Sequence, residues 1–513
     1  MIWHIARKEF FLNVISVRFA VSLILCLLII PFTTVINIDD YRNQVRLYHM
    51  DKQKAENDLK KTRVYSGLRP EIIKPPNPLS TFCKGIDRNM GNRVKIYFGD
   101  IPSLPEGKAS LRDNPFLNSF FSIDFIRVLS ILLSVLALIF SYDLFTREKE
   151  EGTMRLALSA GISRSTLFVG KILGVLLSLI PVLIVNYLLC ILIILFSEDI
   201  SINSEDWINL LLIFVFSIVY ILIFILIGAY ISSRSKQSSI SIVVCLLCWI
   251  WFAFLVPIIA SYSAESFVRV QLSDNLKYSI DELNAEFYSK VDNEITPKVE
   301  KELNWNGQKG FWWYSGSYDG YEEISGTGLE IVELERRTKA LSEPLRIDYA
   351  DKKWAIIKEN QDGFIRQNRF QNAIYSLSPS GLFEMVAEQL CRTDAKAFLA
   401  YMDDVREYRE TLIEYFVQNN LFESYRYITA QPVDQILSME ETKKIANSGN
   451  IPDCWSNNNN PVLDLTGVPM FQYEQANTRN LISLSLVKII ILLSVCVVLV
   501  VMTQRSFNRY DIR

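Results

Sequence analysis

The chain has 513 residues, 50% of them hydrophobic and 21% charged, with a formal net charge of −3. That balance excludes the basic footprint that nucleic-acid binding needs. A positive mean hydropathy beside so many charges implies membrane spans joined to a sizeable soluble part.

Residues 1–17 mix Trp3, Ile5, Phe10 and Phe11 with Arg7, Lys8 and Glu9, the pattern of an interfacial helix lying on one leaflet. Crossing about 30 Å of hydrocarbon takes about 20 apolar residues. Six stretches qualify: 18–37, 124–144, 167–197, 207–231, 239–262 and 482–503. The first follows Arg7, Lys8 and Arg18 and continues without a small-residue cleavage site, so it reads as a retained anchor rather than a cleaved signal peptide. After it, 39–66 has helix-favouring composition and extends the span as a stalk. Arg69-Pro70 and Lys74-Pro75-Pro76-Asn77-Pro78-Leu79-Ser80 then exclude helix, and Arg93–Phe98 alternates as a short strand does.

The second and third apolar runs enclose a dense charge cluster, Asp143 to Arg155. Asp143 closes the second span, and Arg147 to Glu151 hold the chain at the interface. Gly152-Thr153 breaks and recaps it, with Thr153 as N-cap of a short helix Met154–Ala160. Gly161-Ile162-Ser163-Arg164 leads into the third span. A loop this short touches only lipid headgroups or a soluble partner. The plain reading is an anchored charged loop; the alternative is a helix, bearing Arg155 and Arg164, that docks into a partner's cleft. In the long third span Pro181 predicts a kink or a tilt, and Gly170 and Gly174 offer the small surface that close helix packing uses.

Loop 198–206 carries Glu198, Asp199, Glu205 and Asp206 and no Lys or Arg. The segments on the other side hold Arg7, Lys8, Arg18, Arg147, Lys149, Arg155, Arg164, Arg234, Lys236, Arg505, Arg509 and Arg513. The positive-inside rule therefore puts both termini in the cytoplasm and segments 38–123 and 263–481 outside it. In 263–481, Ser378-Pro379 reads as an N-cap with proline at the first helical position. The helix it opens lines up Leu382, Phe383, Val386 and Leu390. A second, near 395–418, lines up Phe398, Met402, Val405, Leu412 and Phe416. Asn457–Asn460 reads as a loop. The tract Phe311-Trp312-Trp313-Tyr314, with Tyr318 and Tyr321, is either core of an exterior domain or a ligand- or leaflet-contacting surface. Lys488, within the sixth span, reads as snorkelling to the outer end unless it serves a functional role.

Cys26, Cys190, Cys245, Cys248 and Cys496 fall in spans, where Cys245-x-x-Cys248 reads as packing residues rather than a metal or redox motif. Cys83, Cys391 and Cys454 fall outside, so at most one exterior disulfide forms within the chain. No Gly-x-x-x-x-Gly-Lys-Ser/Thr loop is present, so ATP is not bound here in the usual way. His4 and His49 are the only histidines, on opposite sides of the membrane, which argues against a histidine-based enzyme.

The stretch Lys149-Glu150-Glu151-Gly152-Thr153-Met154-Arg155-Leu156-Ala157-Leu158-Ser159-Ala160-Gly161-Ile162-Ser163-Arg164, with Gly170-Lys171 after it, resembles the cytoplasmic loop of ABC-2-type transporter permeases; Gly161 stands where proline is usual. Pro75-Pro76-Asn77-Pro78-Leu79-Ser80 with Gly85-Ile86-Asp87, Ser376-Leu377-Ser378-Pro379-Ser380-Gly381-Leu382 with Thr393-Asp394, and Phe507-Asn508-Arg509-Tyr510-Asp511-Ile512-Arg513 are similar to a branch of that family with large exterior insertions.

The resemblance implies an α-helical polytopic membrane protein of six transmembrane helices. A mainly helical extracytoplasmic α+β domain would be built from the two insertions. Its parts would be 1–37 (elbow helix and first span), 38–123, 124–262 (four spans with coupling loop 145–166), 263–481, and 482–513. It implies a permease subunit of an exporter in a bacterial inner membrane, not an enzyme. The partners would be ABC ATPase subunits that carry ATP and Mg, a second permease copy or paralogue, and membrane lipid. No cofactor is expected on this chain. Coupling would fall on Glu148, Glu150, Glu151, Gly152, Thr153, Arg155 and Arg164. The alternative is a mechanotransmitter, in which the same stroke moves the exterior domain against an extracytoplasmic partner and nothing crosses.

Overall fold

The computed structural model describes residues 1–86, 90–103, 124–159, 161–197, 199–268, 270, 273–305, 307, 314–318, 321–455 and 460–509. Ala160, Asp87, Glu198, Phe311–Trp313, Asn457–Asn459 and the tail Tyr510–Arg513, on which several sequence expectations fall, lie outside the described residues.

Helix α1 (Ile2–Val14) ends one turn before α2 (Val17–Lys60), whose N-cap Ser16 accepts the Phe19 amide. At about 1.5 Å per residue, the 44 residues of α2 are roughly twice as long as a hydrocarbon core is thick. Its apolar half and its charged half share one helix because backbone hydrogen bonding does not change at the boundary. Two short antiparallel strands follow, β1 (Glu71–Ile73) and β2 (Arg93–Lys95), with Ile72 opposite Val94.

Asp124 caps α3 (Phe125–Ser141), and two short helices, α4 (Thr146–Glu150) and α5 (Thr153–Ser159), lead to α6 (Arg164–Leu195). Helix α6 runs without a break through Pro181. A reciprocal capping box between Asn203 and Asp206 starts α7 (Ser204–Arg234). The next apolar run is interrupted: α8 (Ser238–Ile250) passes through a π turn at Trp251–Leu255 into α9 (Val256–Phe267). Pro257 has no amide hydrogen to donate backwards, and the wider turn before it accommodates that loss.

Beyond α9 come α10 (Ser273–Lys290), α11 (Thr296–Glu302) and a hairpin of β3 (Tyr314–Tyr318) and β4 (Tyr321–Ser325). Then follow α12 (Leu329–Tyr375), α13 (Pro379–Leu390), α14 (Ala395–Gln418), α15 (Met439–Ser448) and α16 (Thr478–Asn508). Among the described residues six helical segments are long and apolar enough to cross a membrane: α2, α3 with its continuation to Glu150, α6, α7, α8 with α9, and α16.

Two cores result. The larger joins the six segments through residues such as Leu129, Leu133, Val175, Leu179, Phe224 and Leu226. The other is built by the two intervening stretches together, with Leu68, Ile72, Ile96 and Phe98 packed against Phe398, Met402, Val405, Leu412, Phe416 and Phe422. Rings of Phe98 and Phe416 meet edge to face at 4.7 Å.

Helix α13 lies apart from that second core. Pattern reading groups Leu382, Phe383, Val386 and Leu390 with an exterior domain; the structure packs them among the apolar helices. Phe383 stacks on Tyr220 at 4.7 Å, near the middle of α7. Leu382 and Met385 join Ile223, Val256 and Leu492. Its carboxylate Glu384 accepts from Ser130 (2.7 Å) and Tyr375 (2.5 Å) and pairs with Arg127 at 3.3 Å. Arg392, just past its end, pairs with Asp206 at the start of α7 at 2.9 Å. The end of α12 and all of α13 thus form a hairpin that enters the bundle and leaves at the end where it entered. Lys488 is held by this hairpin: its ammonium donates to Gln389 at 3.1 Å.

Candidate functional site: the charged turn between α3 and α6

The turn is shaped by two glycines in left-handed conformation, Gly152 (φ +72) and Gly161 (φ +82). Neither faces any atom within 4 Å of where a Cβ would stand. Backbone conformation, not packing, is what glycine supplies at both. Helix α5 begins at Thr153 itself, so Thr153 is its first helical residue and not the cap outside it. Met154 is fully buried and anchors α5, while Leu156 on its opposite side is 70% exposed.

The charges of the cluster divide by direction. Glu148 points inward and pairs with Lys171 of α6 at 2.8 Å. Lys171, 3% exposed, also pairs with Glu9 of α1 at 2.9 Å and donates to the Leu144 carbonyl at 3.0 Å. Three donors on one ammonium meet three oxygens, which is what makes a buried cation tolerable. Lys149 donates to the carbonyls of Ser232 (3.2 Å), Ser233 (2.6 Å) and Ser235 (3.1 Å), capping the C-terminus of α7. Glu150 accepts from the Ser238 amide and hydroxyl, each at 2.8 Å, capping the N-terminus of α8. The Phe145 and Thr146 amides both donate to the Ser232 hydroxyl. Arg18 of α2 pairs with Asp143 at 3.0 Å.

Arg147, Glu151 and Arg155 face away from the bundle. Arg147 and Glu151 form an exposed pair at 3.0 Å, one helical turn apart. Arg155 is exposed. Arg164, the first residue of α6, donates to the Asn508 carbonyl at the end of α16. Phe507, beside it, stacks on Phe145 at 4.5 Å.

Of the seven residues named from the sequence, Glu148 and Glu150 are therefore fasteners, Gly152 and Thr153 set the backbone, and Arg164 joins two helix ends. Glu150, Glu151, Thr153 and Arg155 are all exposed, as are Arg147 and Leu156 beside them. Sequence reading passed over Glu9, Lys149 and Lys171. Gly170-Lys171 was a signal for the last; nothing local links Glu9 to a lysine so far along the chain.

Helix α1 seats on α6 at the paired glycines. A Cβ on Gly170 would stand 2.8 Å from Ile5, and one on Gly174 2.5 Å from Glu9, so the close approach requires both glycines. A cavity of about 340 Å³ remains between α1 and the turn, bordered by Lys8, Glu9, Asp143, Arg147, Glu148 and Lys171. Among the described residues no three His, Cys, Asp or Glu side chains are grouped to hold a metal ion. The arrangement is a mechanical joint: the turn is fastened to α2, α6, α7 and α8 and carries a charged face exposed on its other side.

A family model described as ABC-2 family transporter protein matches residues 3–512. No curated protein matches the chain.

Proposed function

From this chain's membership of the ABC-2 transporter family, which makes it a multi-pass membrane permease component of an ABC transporter associated with ATPase subunits, we propose that it serves an exporter and receives the ATPase stroke at the α4–α5 turn. The observation that carries this is the division of charge in the turn. Glu148, Lys149 and Glu150 bind it to α6, α7 and α8, while Arg147, Glu151, Arg155 and Leu156 face away. A push on that exposed face reaches several spans at once, and α1 follows through Glu9 and Lys171. Rigid-body tilting of packed helices is the kind of change such joints transmit.

The distribution of Lys and Arg supports an orientation with the turn in the cytoplasm and 38–123 with 263–481 outside it. Exposed Trp3, Phe11 and Leu12 on α1 suit a helix lying on the inner leaflet. ATP and Mg would reside on the ATPase subunits, and a second permease copy or paralogue would complete the pathway in a bacterial inner membrane.

A second reading, force transmission to an extracytoplasmic partner, draws on α2 and α12. Each is one continuous helix that passes from the bundle into the second core, so tilting spans would carry that core with them. Substrate passage and motion of the outer core are separable by measurement, and the turn serves both.

The test is co-purification of the ATPase subunit with the tagged, full-length chain. Arg155→Glu and Leu156→Asp should abolish recovery of the ATPase while the permease still elutes as a monodisperse species from size exclusion. Undiminished recovery with both variants would remove the turn from the ATPase interface.

A further inference from the structure

Cys83 and Cys391 come from stretches far apart in sequence, one before α3 and one at the end of α13. The backbone brings them together from both sides. Asn77 donates its side-chain amide to the Cys391 carbonyl at 2.5 Å, and the Ile86 amide donates to the Thr393 carbonyl at 2.9 Å. Gly85, with φ +48, makes the approach possible, since a Cβ there would stand 2.3 Å from the Thr393 oxygen. Between these ties both cysteines are buried, at 2% and 0% exposure, in the same apolar cluster as Phe82, Phe125 and Leu390. Both are free thiols in this structure.

We propose that Cys83 and Cys391 are the site of an intrachain disulfide that closes as the chain folds. The proposal rests on the orientation given above, which places both residues outside the reducing cytoplasm. The two thiols lose two protons and two electrons as the S–S bond forms. The acceptor is the disulfide of an exterior thiol oxidoreductase, which leaves as a dithiol after passing through a mixed disulfide. The bond precedes burial of the pair, because the folded cluster admits no oxidant.

Its consequence is mechanical. The Cys83 segment is already tied to the start of α3, where the Lys84 amide donates to Asp124 at 3.0 Å and the Ile126 amide to the Phe82 carbonyl at 3.1 Å. A covalent link from there to Cys391 makes the head of α3 and the exit of the α12–α13 hairpin one unit. Helix α3 carries the charged turn at its other end, so the hairpin moves with whatever moves the turn.

The experiment uses full-length wild-type chain in spheroplasts, quenched in acid and alkylated with N-ethylmaleimide before any reduction. Peptide mass spectrometry should recover a Cys83–Cys391 linked peptide that disappears on reduction. Cys83→Ser or Cys391→Ser should each leave the remaining partner alkylated. Recovery of Cys83 and Cys391 both alkylated, or linked to Cys454 instead, overturns the proposal. Ser448→Cys, at an exposed position, is labelled in parallel with a membrane-impermeant maleimide. Labelling from outside with Cys83 and Cys391 both free refutes the disulfide and keeps the orientation. Labelling of Ser448→Cys only after lysis, with both thiols free, overturns both.

Discussion

Glu148 and Lys171 lie 2.8 Å apart, and the ammonium between Glu148 and Glu9 is 3% exposed. This contact links the charged turn to α6 and, through Glu9, to α1. Lys171→Ala leaves two largely buried carboxylates facing each other at the edge of the cavity, a loss of at most about 3–5 kcal/mol. The melting temperature of the purified chain in detergent should drop by several degrees. Lys171→Met combined with Glu9→Gln and Glu148→Gln should regain most of it, because the three isosteres leave no buried charge.

Glu150 and Arg155 separate attachment from docking. Glu150→Ala removes the acceptor for the Ser238 amide and hydroxyl, so hydrogen exchange should quicken in the first turn of α8 while the ATPase subunit is still recovered. Arg155→Ala should leave exchange at α8 unchanged and weaken ATPase recovery. An identical exchange pattern for the two variants would dissolve the distinction.

Gly174 holds α1 against α6. Leucine there has no room beside Glu9 and the Ala6 carbonyl, 2.5 Å and 2.9 Å from the glycine's Cβ position. In Gly174→Leu, α1 should lift away, and trypsin should cleave at Arg7 and Lys8 markedly faster than in the parent. Gly152→Ala, at a site with open space but positive φ, should leave that cleavage rate unchanged.

Glu335 of α12 carries a pH dependence. Burial first, and then the Glu322 carboxylate, push it up from 4.5 to about 7, with Lys339 opposing. A carboxyl raised in the folded state keeps its proton where the unfolded chain has lost it. Stability therefore falls as pH rises from about 4.5 to about 7. Glu335→Gln should flatten that slope in melting curves taken across the interval, and an unchanged slope would assign the dependence elsewhere.

The six apolar helices were legible because hydrocarbon thickness demands a length that few soluble helices combine with such composition. Ser378-Pro379 and the Phe398–Phe416 face were legible as local patterns. The position of α13 was not, since a 12-residue apolar face reads the same against a soluble core as inside a bundle. The stalk reading ran past the true end of α2 at Lys60, a boundary that composition alone defines loosely. The interruption at Trp251–Leu255 follows from Pro257, yet nothing before that proline distinguishes a π turn from a kink. In the turn itself, the sequence marks the charged stretch but not the direction in which each side chain points. Whether Glu148 and Glu150 face a partner or the bundle depends on Lys171 and Ser238, which only the fold brings near.

The central claim is that the exposed face of α5 meets the ATPase. A photoreactive amino acid at Leu156, 70% exposed, and another at Ser448 compare the two ends of the molecule directly when the ATPase subunit is co-expressed. Irradiation should join the permease to the ATPase from position 156 and not from 448. A crosslink from 448, or none from 156 in a complex that still co-purifies, would contradict the account.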